Sequence, residues 1–384
     1  MIYFDQAASS FPKPPEVAEA MIKAVNETAA NPGRGSHQLA RQAAQLINQT
    51  REKAAQLFGC ADPRQAVFFN NATVALNQAV KGLTWEKGDH IISTSFEHNS
   101  IRRPLVYLEK NYGVRVTHID WDEDESLVIE QIEKAINPRT KLIAMTHASN
   151  VTGGVFPIEN ILKFAKQDDI TTLVDASQTA GHRHLHMKEQ QMDMLVFPGH
   201  KGVLGPQGIA MLLVEGEIPL NPIHHGGTGS YSELPDQPEQ LPERLESGTL
   251  NSPGIAGLLA ALQVYEKSKD ENVPRETILA NKLLEGLQMV PDVNVYGPPR
   301  SSNRLPIVAF NIKNIHSQEI AAILDSHYNI AVRGGLHCSP LAHEVLHTSN
   351  QGVIRASLSY YNTEQEIDQF LQAINEIAEA YQEI

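Results

Sequence analysis

Between residues 66 and 214 the chain repeatedly sets a short, continuously apolar run between stretches of helical periodicity, and few folds accept that alternation. The runs are "AVFFN" (66–70), "HIISTSF" (90–96), "KLIAMTH" (141–147), "TTLVD" (171–175), "MLVF" (194–197) and "IAMLLV" (209–214). A strand wetted on one face alternates apolar and polar residues, whereas a strand covered on both faces is apolar throughout. Segments such as "IENILKFAKQ" lie between the runs and carry the 3.6-residue period of a helix. The pattern predicts an α/β fold on a mostly parallel sheet with helices on both faces.

A chain of 384 residues exceeds what one hydrophobic core usually serves, so two domains are expected. "EVAEAMIKAVNETA" and "QAAQLINQTREKAAQLFG" read as amphipathic helices, the second closing on Gly59. Residues 224–254 form the longest irregular stretch. Ser252 as N-cap and Pro253 as first residue then open a helix over "GIAGLLAALQVYEKS". Beyond it the pattern becomes α+β, with "LPIVAFNI" and "VIRASLSYY" as strands and "SQEIAAILDSHY" as a helix. A capping box, Thr363 to Glu366, opens the last helix, whose stripe is Ile367, Phe370, Leu371, Ile374, Ile377, Ala378 and Tyr381. The expected division is an N-terminal segment (1–15) packing with the small domain, a large domain (16–255) and a small C-terminal domain (256–384).

A formal charge of −14 with no block of lysine and arginine argues against nucleic acid or an anionic membrane as the main partner. The start, "MIYFDQAASSFPKPPEV", lacks a basic region followed by an apolar one, and no apolar run reaches transmembrane length, so a cytoplasmic location is expected. Cys60 and Cys338 lie too far apart in sequence to suggest a disulfide framework.

Ligands of open parallel sheets bind beyond the carboxyl ends of the strands. The residues following the apolar runs are Asn71, Ala72 and Thr73; Glu97 and His98; His147, Ser149 and Asn150; Asp175, Ser177 and Gln178; and Gly199, His200 and Lys201. Five strand ends thus bring an acid, a lysine, imidazoles and a hydroxyl to one rim. Pyridoxal 5′-phosphate needs this set: a lysine amine for its Schiff base and a carboxylate beside its pyridinium nitrogen. Lys201 is the only lysine and Asp175 the only aspartate so placed. His98 offers a flat face for the ring, and Gln178 or Asn150 a partner for its phenolic oxygen. "NNATVALNQAV" offers a turn, Thr73 and a helix start for the phosphate. Gly199, Gly202 and Gly205 around Lys201 are expected to let the backbone approach a planar ligand.

The motifs "GHKGVLGPQG", "VDASQ", "EHNS", "THASNVTGG", "RGGLHC" and "IRASLSYYN" resemble the class V aminotransferase-like enzymes, in particular their group II cysteine desulfurase and selenocysteine lyase branch. The resemblance runs from "YFDQAASSFPKP" to "IRASLSYYN". It implies the pyridoxal-phosphate transferase fold type I, with a mostly parallel seven-stranded sheet and a smaller α+β domain. It also implies a homodimer whose subunits share each active site. Carried over by position, Lys201 would be the Schiff-base lysine, Asp175 the pyridinium partner and His98 the stacking ring. Gln178 would contact the phenolic oxygen. Ala72, Thr73 and His200 would hold the phosphate, with Thr249 reaching the other subunit's phosphate. Arg355 would clamp the substrate carboxylate as a bidentate fork, and Asn150 and Arg34 would line the substrate site. Cys338 would be the nucleophile that becomes a persulfide.

Three positions depart from the family pattern. Pro198 stands where many relatives have a phosphate-bonding serine, Ala72 removes a second hydroxyl, and "GGLHC" replaces "GHHC". The implied activity is desulfuration of L-cysteine to L-alanine, with a sulfur-acceptor protein as a possible partner. The alternatives are a selenocysteine or cysteine-sulfinate lyase, a class V aminotransferase, or a non-catalytic protein that retains the cofactor. A thiolate at Cys338 is expected to be favoured by a neighbouring imidazolium or Arg333. Cys60 reads as structural. Cys338, His343 and His347, and likewise His182, His184 and His186 on one face of an expected strand, have metal-like spacing. Neither set has a fourth ligand, and no metal is expected.

Overall fold

The computed structural model describes residues 1–28, 30–32, 37–122, 124–299 and 303–382. Its large sheet has seven strands: β1 (Ala66–Phe69), β2 (His90–Thr94), β3 (Arg115–Ile119), β4 (Thr140–Thr146), β5 (Thr171–Asp175), β6 (Met194–Pro198) and β7 (Ala210–Val214). They lie in the order β1-β7-β6-β5-β4-β2-β3, all parallel except β7, which runs antiparallel to both of its neighbours. Six of the seven are the apolar runs of the sequence. The seventh, β3, "RVTHI", was not among them, because an edge strand keeps one side wet: Arg115 and His118 are exposed and only Ile119 is buried.

Burial on both faces explains the unbroken apolar runs. Along β6, Met194 and Val196 enter one hydrophobic cluster with Leu76, Ile91 and Leu173, while Leu195 and Phe197 enter the opposite one with Phe58, Phe68 and Ile161. Helix Gln38–Phe58 ends at Gly59, whose φ of 69° supplies the left-handed turn that closes it.

A second sheet has four antiparallel strands, β8 (Val293–Tyr296), β9 (Ile307–Ile312), β10 (Arg333–Gly335) and β11 (Val353–Ser357), in the order β10-β11-β9-β8. Its core joins Phe4, Phe310 and Phe370 to the buried stripe of the last helix, Glu364–Ala380, whose capping box is present. Leu371 and Tyr381 of that stripe are only half-buried. At the amino end, Ile2–Tyr3 pairs in parallel with Ile330–Ala331.

The two cores share one helix, Ser252–Met289. Its first turns place Ile255, Leu258 and Leu262 in the large-sheet core, and its last turns place Leu279, Leu283 and Leu287 in the small-sheet core. The N-cap is Asn251, whose side chain accepts from the Gly254 N–H, rather than the expected Ser252. The expected strand over His182–His186 is absent; these residues form a turn leading into the short helix Met187–Gln190. There His182 Nδ1 is bonded to buried Glu276, and His184 and His186 turn toward Glu189.

The outer edge of β1 is closed by side chains. Glu246 Oε1 accepts from the Phe68 N–H at 2.7 Å, Arg51 donates to the Ala66 carbonyl, and the two side chains pair at 2.5 Å, both buried. This pair fastens the loop after β7 to the sheet edge. Arg51→Ala leaves the Glu246 carboxylate buried without its charge partner and should cost about 3–5 kcal/mol, read as a lower urea midpoint with an unchanged slope.

Candidate active site

The carboxyl ends of β1, β2, β4, β5 and β6 face one chamber of about 230 Å³. Asp175 and Thr146 end their strands inside it, and Lys201 enters three residues beyond the end of β6. Helix Ala72–Gly82 opens after β1 with Asn71 as its cap, presenting Ala72 and Thr73 to the chamber. Helix Asn99–Tyr112 opens after β2 behind His98. Gln178, His200, Cys338 and Arg355 complete the wall with Ala7 and Ala8 from the amino end.

Lys201 is half-buried, and desolvation pushes its ammonium down to about 8. Asp175 opposes that shift and Arg355 adds to it. The lysine sits in a tight turn, with Leu204 N–H donating to its carbonyl and Gly205 N–H to Gly199's, both at 2.7 Å. The glycines are required by the packing of this turn. A Cβ on Gly202 would lie 2.4 Å from the Ala180 carbonyl, and one on Gly205 would lie 2.9 Å from the Gly199 carbonyl. Asp175 Oδ1 accepts from the Ser177 N–H at 2.9 Å.

Ser100 orients the ring of His98. Its backbone N–H donates to Nδ1 (3.1 Å), making that nitrogen an acceptor and leaving the proton on Nε2. The Ser100 hydroxyl lies 2.8 Å from Nδ1 and 2.7 Å from the Thr73 hydroxyl, so Thr73, Ser100 and His98 form one chain. Burial, and then the Lys201 charge, lower the His98 imidazole to about 4, so it is neutral at physiological pH. His200 falls to about 4 for the same two reasons, with Lys13 contributing.

Cys338 is exposed to the chamber on a turn where His337 and Cys338 both take positive φ, 48° and 59°. Two successive non-glycine residues in that region cost about 1–3 kcal/mol each unless their surroundings hold them. The holding groups are visible. Asn150 Nδ2 donates to the His337 carbonyl and Ser339 Oγ donates to Asn150 Oδ1, both at 2.7 Å. The Asn99 N–H donates to the Cys338 carbonyl, also at 2.7 Å. Of the two expected partners for the thiol, no imidazolium is present among the described residues, since burial holds His337 neutral with its Nε2 3.0 Å from the Val353 carbonyl, while Arg333 lines the same chamber as Cys338. Cys60 is buried, with its thiol pushed up to about 11 by desolvation, as suits a structural residue.

Arg355 is buried at the floor. Nη1 donates to the Asn150 carbonyl at 2.8 Å and Nη2 to Asp5 at 2.9 Å, while Nε has no partner among the described residues. Asp5 also pairs with Arg333 at 3.2 Å. Asp5 and Ser100 were missed as site residues. The only sign of Asp5 was an acid inside the apolar stretch "IYFDQAA", which suggests a buried partner.

Other rim residues point elsewhere. Glu97 Oε1 accepts from the Thr94 hydroxyl and the Thr146 N–H, tying the ends of β2 and β4, and burial pushes its carboxyl up to about 8. His147 lies 3.1 Å from the Thr179 hydroxyl, and Ser149 accepts from the backbone N–H groups of Val151 and Thr152. Thr249 is not in the chamber. It lines a separate cleft of about 1,050 Å³ with Gly227, Tyr231 and Arg51. Arg34 lies outside the described residues.

This arrangement belongs to a known class. The aminotransferase class-V family model matches residues 2–370, and the chain belongs to that family. Its relatives narrow the class further. A probable cysteine desulfurase of Pyrococcus abyssi is 34% identical over 99% of this chain and 95% of its own length. A cysteine desulfurase of Pectobacterium carotovorum is 33% identical over 98% and 93%. The apo structure of the cysteine desulfurase from Thermococcus onnurineus superposes with a TM-score of 0.91 at 32% identity, covering 99% of this chain and 95% of that one.

The Lys201 environment makes a direct expectation. An NMR titration of isotopically methylated lysines should show this amine losing its proton near pH 8. Asp175→Asn removes the charge that favours the ammonium and should move the midpoint lower. An unchanged midpoint would contradict the coupling.

Proposed function

We propose that this chain is a pyridoxal-phosphate-dependent cysteine desulfurase, which converts L-cysteine to L-alanine and leaves sulfur as a persulfide on Cys338. The observation that carries this reading is that Cys338 and Lys201 face the same chamber, in a chain whose relatives bear that name. The residues fit the cofactor. A half-buried lysine with a lowered pKa, a carboxylate ending β5 and a helix start beside Thr73 meet its needs.

Lys201 would tether the cofactor's aldehyde carbon, Asp175 would face the ring nitrogen, His98 would stack on the ring and Gln178 would approach the phenolic oxygen. The phosphate would rest on Ala72, Thr73 and His200, and on Thr249 of a second copy. When bound, the cofactor supplies an electron sink for charge developing at the substrate's α-carbon. The protein supplies the rest. Arg355 offers its unpartnered Nε to the substrate carboxylate, with Arg34 assigned to the same site. Lys201, balanced near 8, can take and return a proton at neutral pH. The Cys338 thiolate attacks the substrate sulfur, and the carbon–sulfur bond breaks with its electron pair staying on the carbon side. Asn150, both ends of its amide engaged by the turn, holds Cys338 in place for that attack.

We read the chain as a homodimer with the 1–15, 16–255 and 256–384 division. We read it as cytoplasmic; among the described residues no helix is long and apolar enough to cross a membrane. An acceptor then takes the sulfur.

Cys338→Ala separates carbon chemistry from sulfur chemistry. The variant should bind the cofactor and still change its visible spectrum on adding cysteine. Alanine release from cysteine should fall about 100-fold or more, and release from selenocysteine much less, because selenium leaves more readily. Undiminished release from cysteine would remove Cys338 from the mechanism. Sedimentation should show a dimer, and Thr249→Ala should release cofactor several times faster (about a 1 kcal/mol loss). A monomer with full cofactor affinity would contradict the shared site.

A further inference from the structure

A second cavity of about 290 Å³ adjoins the chamber, and Thr73, His98, Ser100 and Cys338 line both. Its outer wall comes from two helices. Asn77 and Lys81 follow Thr73 at four-residue steps along helix Ala72–Gly82, and Arg103 lies one turn into helix Asn99–Tyr112. No carboxylate is among the described residues that line it. On a chain of net charge −14, two cations without an acid mark this opening out. Arg103 is exposed, and its charge helps to lower the His98 imidazole, which places it within electrostatic reach of the site. Lys81 Nζ stands 4.4 Å from the centre of the Tyr107 ring, which holds the ammonium at the entrance.

The Cys338 turn is bonded at its His337 and Cys338 carbonyls and its Ser339 hydroxyl, which holds the sulfur where the two cavities meet. An acceptor must therefore come in. The opening lies at the lower end of the roughly 300–1,000 Å³ range of small-molecule pockets. We infer that this cationic mouth admits small anionic thiols as acceptors of the Cys338 persulfide, an inference that rests on the desulfurase reading. The incoming thiolate attacks the outer sulfur of the persulfide. A new sulfur–sulfur bond forms and the old one breaks, its electron pair returning to Cys338 Sγ as thiolate. The acceptor leaves as a persulfide, and no external oxidant or reductant is consumed.

The test compares 3-mercaptopropionate, 2-mercaptoethanol and cysteamine at equal thiolate concentration. Discharge of the persulfide-loaded enzyme is followed by alkylation of the freed Cys338 and mass spectrometry. The anionic thiol should react about five-fold faster than the neutral one and the cationic thiol slowest, with the spread narrowing as salt rises. The double variant Lys81→Gln, Arg103→Gln should load sulfur from cysteine as before and lose the preference. A parallel arm loads Cys338 chemically as a mixed disulfide with 2-mercaptoethanol and repeats the comparison, which needs no desulfurase activity. The same order is expected there. Absence of the order in that arm, or its survival in the double variant, would overturn the inference. Failure of cysteine to load sulfur, with the order intact in the chemical arm, would instead count against the desulfurase reading.

Discussion

The site depends on keeping an ammonium and a carboxylate together at the carboxyl edge of the sheet, the carboxylate buried and the amine half-buried. Asp175 ends β5 and Lys201 follows β6 by three residues, and desolvation pulls the lysine down while the carboxylate holds it up. Removing charges from water costs several kcal/mol per ion, so the arrangement persists only on a framework that cannot relax. That framework is a sheet apolar on both faces and a glycine turn packed against Ala180 and Gly199. In the proposed function such a lysine serves as tether and as proton carrier.

A second set of bonds joins the two sheets across the chamber. Asp5 of the amino end binds Arg355 of β11 and Arg333 of β10, and Arg355 in turn binds the carbonyl of Asn150 beyond β4. The Asn150 side chain then fixes the turn that carries Cys338. Arg355 and the bonds that position Cys338, to which we assign the substrate carboxylate and the sulfur, are therefore mechanically continuous. A change at Asp5 would be felt at Cys338 without either residue touching the other.

Much of this was legible in the chain. Continuous apolar runs exposed six strands, because a strand covered on both sides has no polar face to hide it. Reading what followed each run located Asp175, His98, Lys201 and Thr73 on one rim. Arg115–Ile119 escaped because an edge strand mixes wet and dry positions. Glu97 and His147 were misleading because a strand end alternates its side chains, and theirs fall on the structural side. The glycines around Lys201 were recognised as necessary, but the cause lies in backbone packing that no local pattern reveals. Asp5, Ser100 and the Cys338 clamp join residues up to 350 positions apart in the chain, and only the fold brings them together.

The most direct test is a single turnover. Cofactor-loaded protein would be mixed with one equivalent of L-cysteine in the absence of any other thiol, and both products counted. The expected result is one alanine per active site together with a mass gain of one sulfur atom, mapped by peptide digestion to Cys338. Alanine formed without that gain, or sulfur found on Cys60, would contradict a chamber in which Lys201 and Cys338 work on the same substrate.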